Sequence, residues 1–364
     1  MQLRIAYLCG TMGWGGLEMN QLKNAIWMHE RGHFVQIYAY KNSPIAISAI
    51  EKNLSLVEIN KHKNHYDFIS AWELYKCLKI NSINHLIIRA TFDQSIAASI
   101  AFLSKEKIKV HFFMEMAFGN RKKQFFRTLR YSFFSSWNCP LEYLKNQVLE
   151  NSHVNPEKLN VIPSGIDLAS VVNESMEQSR QQLGWKKGAK YFGLVGRFDI
   201  LKGHELVINA MKRAKNKNFE VIFVGEPTKD KSNDYDEFIL RKVLEFNLQD
   251  RIHFMPFQEN PFRVFNALNF TLMTSDSETF GMVTLESMAQ GTPVIGSNAG
   301  GTPELLNYGE LGLLYQTKSA TDLAEKLDLA ASGKIVFNRK KLRERASYFD
   351  SNKVCEMVEK LLNS

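Results

Sequence analysis

Two cations stand five residues apart in Gly196-Arg197-Phe198-Asp199-Ile200-Leu201-Lys202-Gly203, directly after an apolar run. A guanidinium grips a pair of oxygens through its planar fork and an ammonium supplies a mobile point charge, so Arg197 and Lys202 suit a diphosphate. Read alone, the stretch also fits a solvated loop with ordinary surface cations. A more specific pattern runs from Ser275 to Val294, with Glu278 in a loop and Glu286 in the early turns of a helix that opens near Gly281. Spare N–H groups at such a helix start, those of Phe280, Gly281, Met282 and Val283, suit phosphate oxygens and sugar hydroxyls, and Glu286 suits the hydroxyl pair of a ribose. Reading Glu286 as a helix-start acid and Gly291-Thr292-Pro293 as a helix stop explains the helix alone. It leaves Glu278 and the Gly300-Gly301 pair without a reason. The third candidate is the glycine loop Gly10-Thr11-Met12-Gly13-Trp14-Gly15-Gly16-Leu17-Glu18, where backbone N–H groups and a helix dipole attract an anion. Its spacing is neither the dinucleotide fingerprint nor a Walker A loop, and a ligand-free turn fits it equally well.

These residues need elements that bring them to one edge of a sheet. Leu3 to Cys9 reads as a strand, Leu17 to Glu30 as a helix ended at Gly32, and Phe34 to Tyr40 as a strand. His85 to Arg89, Asp93 to Leu103 and Val110 to Met114 continue as strand, helix, strand. A polar stretch from Asn173 to Gln182 suggests a junction. Alternation then resumes, with strands at Tyr191 to Val195, Glu220 to Val224, Ile252 to Met255 and Phe270 to Met273 and helices at 205–213, 236–246 and 260–267. Alternating strands and helices imply parallel sheets covered on both faces. The expected fold is therefore α/β, two Rossmann-like doubly wound domains facing across a cleft. Their expected limits are residues 1–167 and 168–348, with a helix at 349–364 crossing back to the first.

The chain has 364 residues, enough for two cores, and an ordinary globular balance of 45% hydrophobic and 23% charged residues. Its four cysteines are scattered, which points away from a disulfide framework or a zinc site and toward a reducing cytoplasm. The N-terminal apolar run meets glycine too soon for a signal peptide, and no run approaches the roughly 18 to 20 apolar residues of a membrane span. Charge is uneven. Residues 1–165 hold 20 Lys and Arg against 12 Asp and Glu, and the remainder is balanced, so the whole +8 lies in the N-terminal half. That asymmetry suggests an anionic partner there.

Taken together, the motifs resemble glycosyltransferase family 4, the retaining enzymes of the GT-B type. The resemblance rests on Gly15-Gly16-Leu17-Glu18, Arg31-Gly32-His33 and Val161-Ile162-Pro163-Ser164-Gly165-Ile166-Asp167. It extends through the Gly196-Arg197 and Lys202-Gly203 pairs, the glutamates Glu278 and Glu286, and Ala299-Gly300-Gly301-Thr302-Pro303-Glu304. It implies transfer of a sugar, with retention, from a UDP- or GDP-linked donor to a hydroxyl of a glycan or lipid-linked acceptor in cell-envelope polysaccharide or lipopolysaccharide synthesis. The implied roles are Gly16, Met282 and Val283 toward the donor phosphates, Gly15 and Gly196 among the donor-binding residues, Arg197 and Lys202 on the diphosphate, Glu278 on the sugar and Glu286 on the ribose. Arg197, Lys202 and Glu278 would act in catalysis, with no metal and no other cofactor. Two departures stand out. Family members often carry an N-domain His near the sugar, where this chain offers Glu115 or His111, and Ser164 stands where Asn is usual.

Asp234-Tyr235-Asp236 and Asp276-Ser277-Glu278 have a carboxylate-x-carboxylate form that can hold a divalent metal. The first reads as a solvated loop, and the second overlaps the sugar-binding motif. From Phe118 to Trp137, the cations Arg121, Lys122, Lys123, Arg127 and Arg130 alternate with aromatics that include Phe125 and Phe126. Helical spacing makes this an interfacial helix for an anionic membrane, or a core segment whose cations face water. Expected partners are thus the nucleotide-sugar donor, the acceptor and a membrane surface, with no nucleic acid, and the expected location is cytoplasmic, peripheral on the inner face of the membrane. The rival readings are a sugar-nucleotide epimerase or phosphorylase on the same fold, and a non-catalytic membrane- or nucleic-acid-binding protein.

Overall fold

A computed structural model of the protein describes residues 2–64, 67–119, 121–226 and 235–364. The chain divides into two compact units, residues 1–165 with 351–364, and residues 166–350.

Unit 1 runs β1 (Arg4–Cys9), α1 (Gly16–Glu30), β2 (Phe34–Tyr40), α2 (Pro44–Glu51), β3 (Ser55–Ile59), α3 (Phe68–Ile80), β4 (His85–Ile88), α4 (Gln94–Leu103), β5 (Lys109–Phe113), α5 (Phe125–Ser132), β6 (Ser136–Cys139), α6 (Glu142–Asn151) and β7 (Leu159–Val161). Its strands pair in the order β3-β2-β1-β4-β5-β6-β7, all parallel. Helices on both faces leave strands such as His85–Ile88 with no solvated side, which is why they read as apolar runs. One face packs Leu74, Ile100, Phe112 and Trp137.

Unit 2 runs α7 (Met176–Gln182), β8 (Tyr191–Val195), α8 (His204–Arg213), β9 (Glu220–Val224), α9 (Tyr235–Glu245), β10 (Ile252–Met255), α10 (Phe262–Ala267), β11 (Phe270–Met273), α11 (Met282–Gln290), β12 (Val294–Ser297), α12 (Thr302–Leu305), β13 (Gly312–Tyr315), α13 (Ala320–Ser332) and α14 (Arg339–Ser347). Its parallel sheet has the order β10-β9-β8-β11-β12-β13. The polar stretch that suggested a junction is α7. Ser175 caps it by accepting from the Gln178 N–H, Gln178 answers to the Ser175 N–H, and Arg180 is buried with hydrogen bonds to Ala267 O and Asn269.

The last helix, α15 (Ser351–Asn363), belongs to unit 1. Val354, Cys355, Val358 and Leu362 are buried with Leu22, Ala25 and Ile45 on the second face of its sheet. Arg31 grips Glu359 through two bonds of 2.7 and 2.8 Å, and His33 Nε2 lies 2.8 Å from the same carboxylate.

Each sheet has one place where the strand order reverses, between β1 and β4 in unit 1 and between β8 and β11 in unit 2. Connections leave such a point in opposite directions and open a crevice at the carboxyl edge, where ligands of doubly wound sheets bind.

Candidate functional site

In unit 2 the two motif segments follow the two strands of that reversal. β8 and β11 pair through Phe192–Phe270 and Gly193–Thr271, so their last residues run on beyond the paired stretch. After β8, Asp199 accepts from the Leu201 N–H at 2.9 Å and starts a single turn, Ile200–Lys202, that ends at left-handed Gly203. A side chain at Gly203 would meet Thr274 O at 2.4 Å, and Thr274 Oγ1 donates to Lys202 O at 2.8 Å. Glycine thus lets the turn lie against the end of β11 and sets Lys202 over the loop that follows it. Lys202 Nζ reaches Glu278 Oε2 at 3.2 Å, with both side chains partly open to solvent. Arg197 is exposed and makes no ion pair among the described residues.

Glu278 is held by its backbone. It forms a bridge with Gly300, and its carbonyl accepts from the Gly301 N–H at 2.7 Å. A Cβ on Gly300 would lie 2.2 Å from Glu278 O, so the second glycine pair is the seat of the glutamate loop. Gly281, at φ 98°, caps α11; its carbonyl opens the helical ladder at Leu285, which leaves the N–H groups of Met282 and Val283 outside it. Phe280 is buried against Phe349. The Glu286 side chain is half-buried in the first turns of α11, with an interaction of its own. Gly196 donates to Val224 O, and a Cβ on Gly225 would meet Gly196 O at 2.0 Å, so the two strand ends lie backbone to backbone. A lysine paired to a carboxylate, an arginine with no ion pair among the described residues and a helix N-terminus at one sheet edge are groups that can hold a phosphorylated ligand and accept hydroxyls.

Both acids of the Asp276-Ser277-Glu278 motif have lysine partners, Asp276 with Lys318 at 3.3 Å and Glu278 with Lys202. In the other motif, Asp234 lies outside the described residues. His204, the first residue of α8, stacks on Phe198 at 4.6 Å, and burial pushes its imidazole down to about 4, so it stays neutral.

Unit 1 places its groups around the other reversal. The Gly15 N–H donates to Glu18 Oε2 at 2.9 Å and Thr11 donates to Glu18 Oε1 at 2.9 Å, so the side chain of Glu18 itself caps α1. The Gly15 N–H is therefore taken, and the first-turn donors left outside the ladder begin at Gly16. Gln21 donates to Leu8 O at 2.8 Å and Asn24 accepts from Tyr7 at 2.8 Å, which ties a polar helix face to β1.

His111 does not reach the sheet edge. It is buried in mid-strand, 3.2 Å from His85 and 2.9 Å from Ser136, and burial pushes its pKa down to about 3. It is a neutral core histidine, which corrects its candidacy. Glu115 lies just past β5, ion-paired with Arg89 and hydrogen-bonded to Asn20 at 3.2 Å and Ser164 at 3.3 Å. The two departures of the sequence, Glu115 and Ser164, thus contact each other. Arg89 and Asn20 were missed, although a cation directly after the apolar His85–Ile88 run was a usable signal. A second buried cluster, also missed, is Asp93, which accepts from the Gly10 N–H at 3.1 Å and lies 3.0 Å from His62.

The basic aromatic stretch divides. Among its described residues only Phe125–Ser132 is helical, with Phe125, Phe126 and Leu129 exposed. Phe118, Tyr131, Phe134 and Trp137 are core, and Trp137 lies on β6, so one continuous interfacial helix is corrected to a single short one. Arg121 and Arg127 are exposed and Lys123 and Arg130 half-buried. Lys122 sits 4.4 Å over the Phe118 ring rather than on the helix.

A family comparison meets this geometry in unit 2. Residues 175–349 match the family model of glycosyl transferases group 1. Among curated relatives, the D-inositol 3-phosphate glycosyltransferase of Nocardia farcinica is 28% identical over 203 residues, 54% of this chain and 44% of the relative. The chain thus spans less than half the length of that relative. Among solved structures, a glycosyltransferase from Rickettsia africae superposes with a TM-score of 0.85 at 16% identity over 100% of this chain and 98% of the other. Anabaena HepE in complex with UDP and glucose superposes with a TM-score of 0.83 at 18% identity over the full length of both. The fold is the two-domain Rossmann-like arrangement of GT-B glycosyltransferases.

Proposed function

We propose that the protein is a retaining glycosyltransferase that moves a sugar from a UDP- or GDP-linked donor bound by unit 2 to a hydroxyl of a glycan or lipid-linked acceptor. The observation that carries the reading is the Lys202–Glu278 pair beside the open N-terminus of α11. Charge grows on the leaving diphosphate as the glycosidic bond breaks, and Lys202, Arg197 and the N–H groups of Met282 and Val283 are the groups to receive it. Glu278, released from Lys202 by the diphosphate, accepts hydrogen bonds from the donor sugar, and Glu286 holds the ribose. No metal is needed in this scheme because lysine and arginine already neutralise the leaving group. The UDP-and-glucose complex of HepE supports a nucleotide donor, and the glycosyltransferase of Nocardia farcinica supports sugar transfer.

The acceptor is bound by unit 1, with Glu115 at its site, and the enzyme works on the inner face of the cell membrane in envelope polysaccharide synthesis. The support is physical: unit 1 carries the chain's net +8, and α5 exposes Phe125, Phe126 and Leu129 beside Arg121 and Arg127. Among the described residues no helix is long and apolar enough to cross a membrane. Calorimetric titration with UDP and with GDP tests the proposal, using Lys202→Ala as control. Micromolar binding of one nucleotide, lost in the variant, supports it; binding of neither nucleotide overturns it.

A further inference from the structure

A crevice in unit 1 is lined by Arg89 and Thr91 from the β4–α4 connection, Gln94 at the start of α4, Phe118 and Lys122 from the β5–α5 connection, and Tyr131 of α5. Its two cations are incompletely satisfied. Arg89 is 5% exposed; one nitrogen donates to Glu115, while its Nε is buried with no partner among the described residues. Glu115 is the counter-ion of Arg89 and also accepts from Asn20 and Ser164, so its oxygens leave the Arg89 Nε–H without an acceptor. Lys122 is half-buried over Phe118 and has no carboxylate partner among the described residues. Burial, with the Arg127 charge adding to it, holds its ammonium below the ordinary lysine range. A partly desolvated ammonium without a counter-ion and a buried guanidinium N–H without an acceptor each cost folding free energy, and a ligand anion removes that cost.

We propose that this crevice binds a phosphoryl group carried by the acceptor, with Arg89 and Lys122 as its charge contacts and Thr91 and Gln94 as its hydrogen-bond partners. The word acceptor rests on the glycosyltransferase reading; the anion site does not. A guanidinium, an ammonium, a hydroxyl and an amide offer more donors than the two oxygens of a carboxylate can take, and a tetrahedral phosphoryl group accommodates them. The Phe118 and Tyr131 rings form apolar walls beside the contact and lower the local dielectric there. Tyr131 belongs to the helix that exposes Phe125 and Phe126, so a phosphate borne on a lipid at that helix would lie close to the crevice.

Lysine acetylation of the full chain, read by mass spectrometry with and without inorganic phosphate, tests the site. Millimolar phosphate is expected to protect Lys122 while Lys123 labels as before, and Arg89→Gln is expected to weaken that protection by about tenfold or more. Because Arg89→Gln removes a buried pair and can unfold unit 1, Thr91→Val is the second variant, with a smaller loss of the same sign. Protection by short-chain phosphatidic acid at lower concentration than by inorganic phosphate supports a lipid-borne phosphate; equal protection supports a soluble phosphorylated acceptor. Lys122 left unprotected by both probes, or protection confined to Lys202, overturns the site. Protein that binds a nucleotide yet leaves Lys122 unprotected refutes the crevice and spares the transferase reading.

Discussion

Lys202 and Glu278 hold each other at 3.2 Å, an arrangement in which each is poised for a ligand that separates them. Lys202→Ala and Glu278→Ala are each expected to lower sugar transfer by at least about a hundredfold, with circular dichroism unchanged. Near-normal turnover in either variant removes the catalytic assignment. Gly300→Ala is a different case, because the methyl would press on Glu278 O at 2.2 Å and φ is +67°. It is expected to destabilise unit 2 by roughly 1–3 kcal/mol in urea unfolding and to lower activity through a displaced Glu278. These residues were legible in the sequence because each motif is contiguous and follows a strand. Arg89, Asn20, Glu115 and Ser164 were not legible as a group. They come from four segments joined only by the sheet order, and no local spacing records that they meet.

At the scale of elements, α15 depends on the Glu359 cluster. Two hydrogen bonds from Arg31, with His33 adding and burial opposing, hold the Glu359 carboxyl down at about 2 against an ordinary 4.5. For a depressed acid the contribution is complete above the unfolded value and is lost as pH falls toward the folded one. Hydrogen-exchange protection of α15 is therefore expected to fall between pH 4.5 and about 2, and Glu359→Gln to lack that transition. Protection that stays flat over this range contradicts the assignment. Leu362→Ala, at a 2% exposed position, is expected to cost about 2–4 kcal/mol of unit 1 stability by thermal or urea denaturation. Strands such as Phe34–Tyr40 and Glu220–Val224 were readable to the residue because they are apolar runs between turn signals. α7 was not, since Ser179 and Arg180 are polar residues buried through hydrogen bonds, which mimic a linker in composition. The aromatic stretch, read as an interfacial helix or a core segment, divides between the two, and the sequence could not say where. Helical spacing cannot tell Phe126, which faces water, from Trp137, which enters the core on a strand.

For the whole molecule, the net +8 belongs to unit 1, because residues 351–364 add two cations and two anions. Binding to vesicles containing phosphatidylglycerol is expected to weaken steeply as salt rises, and Phe125→Ser with Phe126→Ser to weaken it about tenfold or more in cosedimentation. Salt-independent binding, or none, removes the membrane proposal. The sequence by itself determined two doubly wound sheets, since alternation of apolar strands with helices is a local property of the chain. It also determined the phosphate-type motifs of residues 196–203 and 275–301, whose chemistry is carried by neighbours in sequence. Only the tertiary structure decided that Glu115, not His111, stands past the end of its strand, that Glu18 fills the glycine loop, and that Arg89 and Lys122 share one crevice. Those facts depend on strand order, register and burial, which are settled by packing between distant segments.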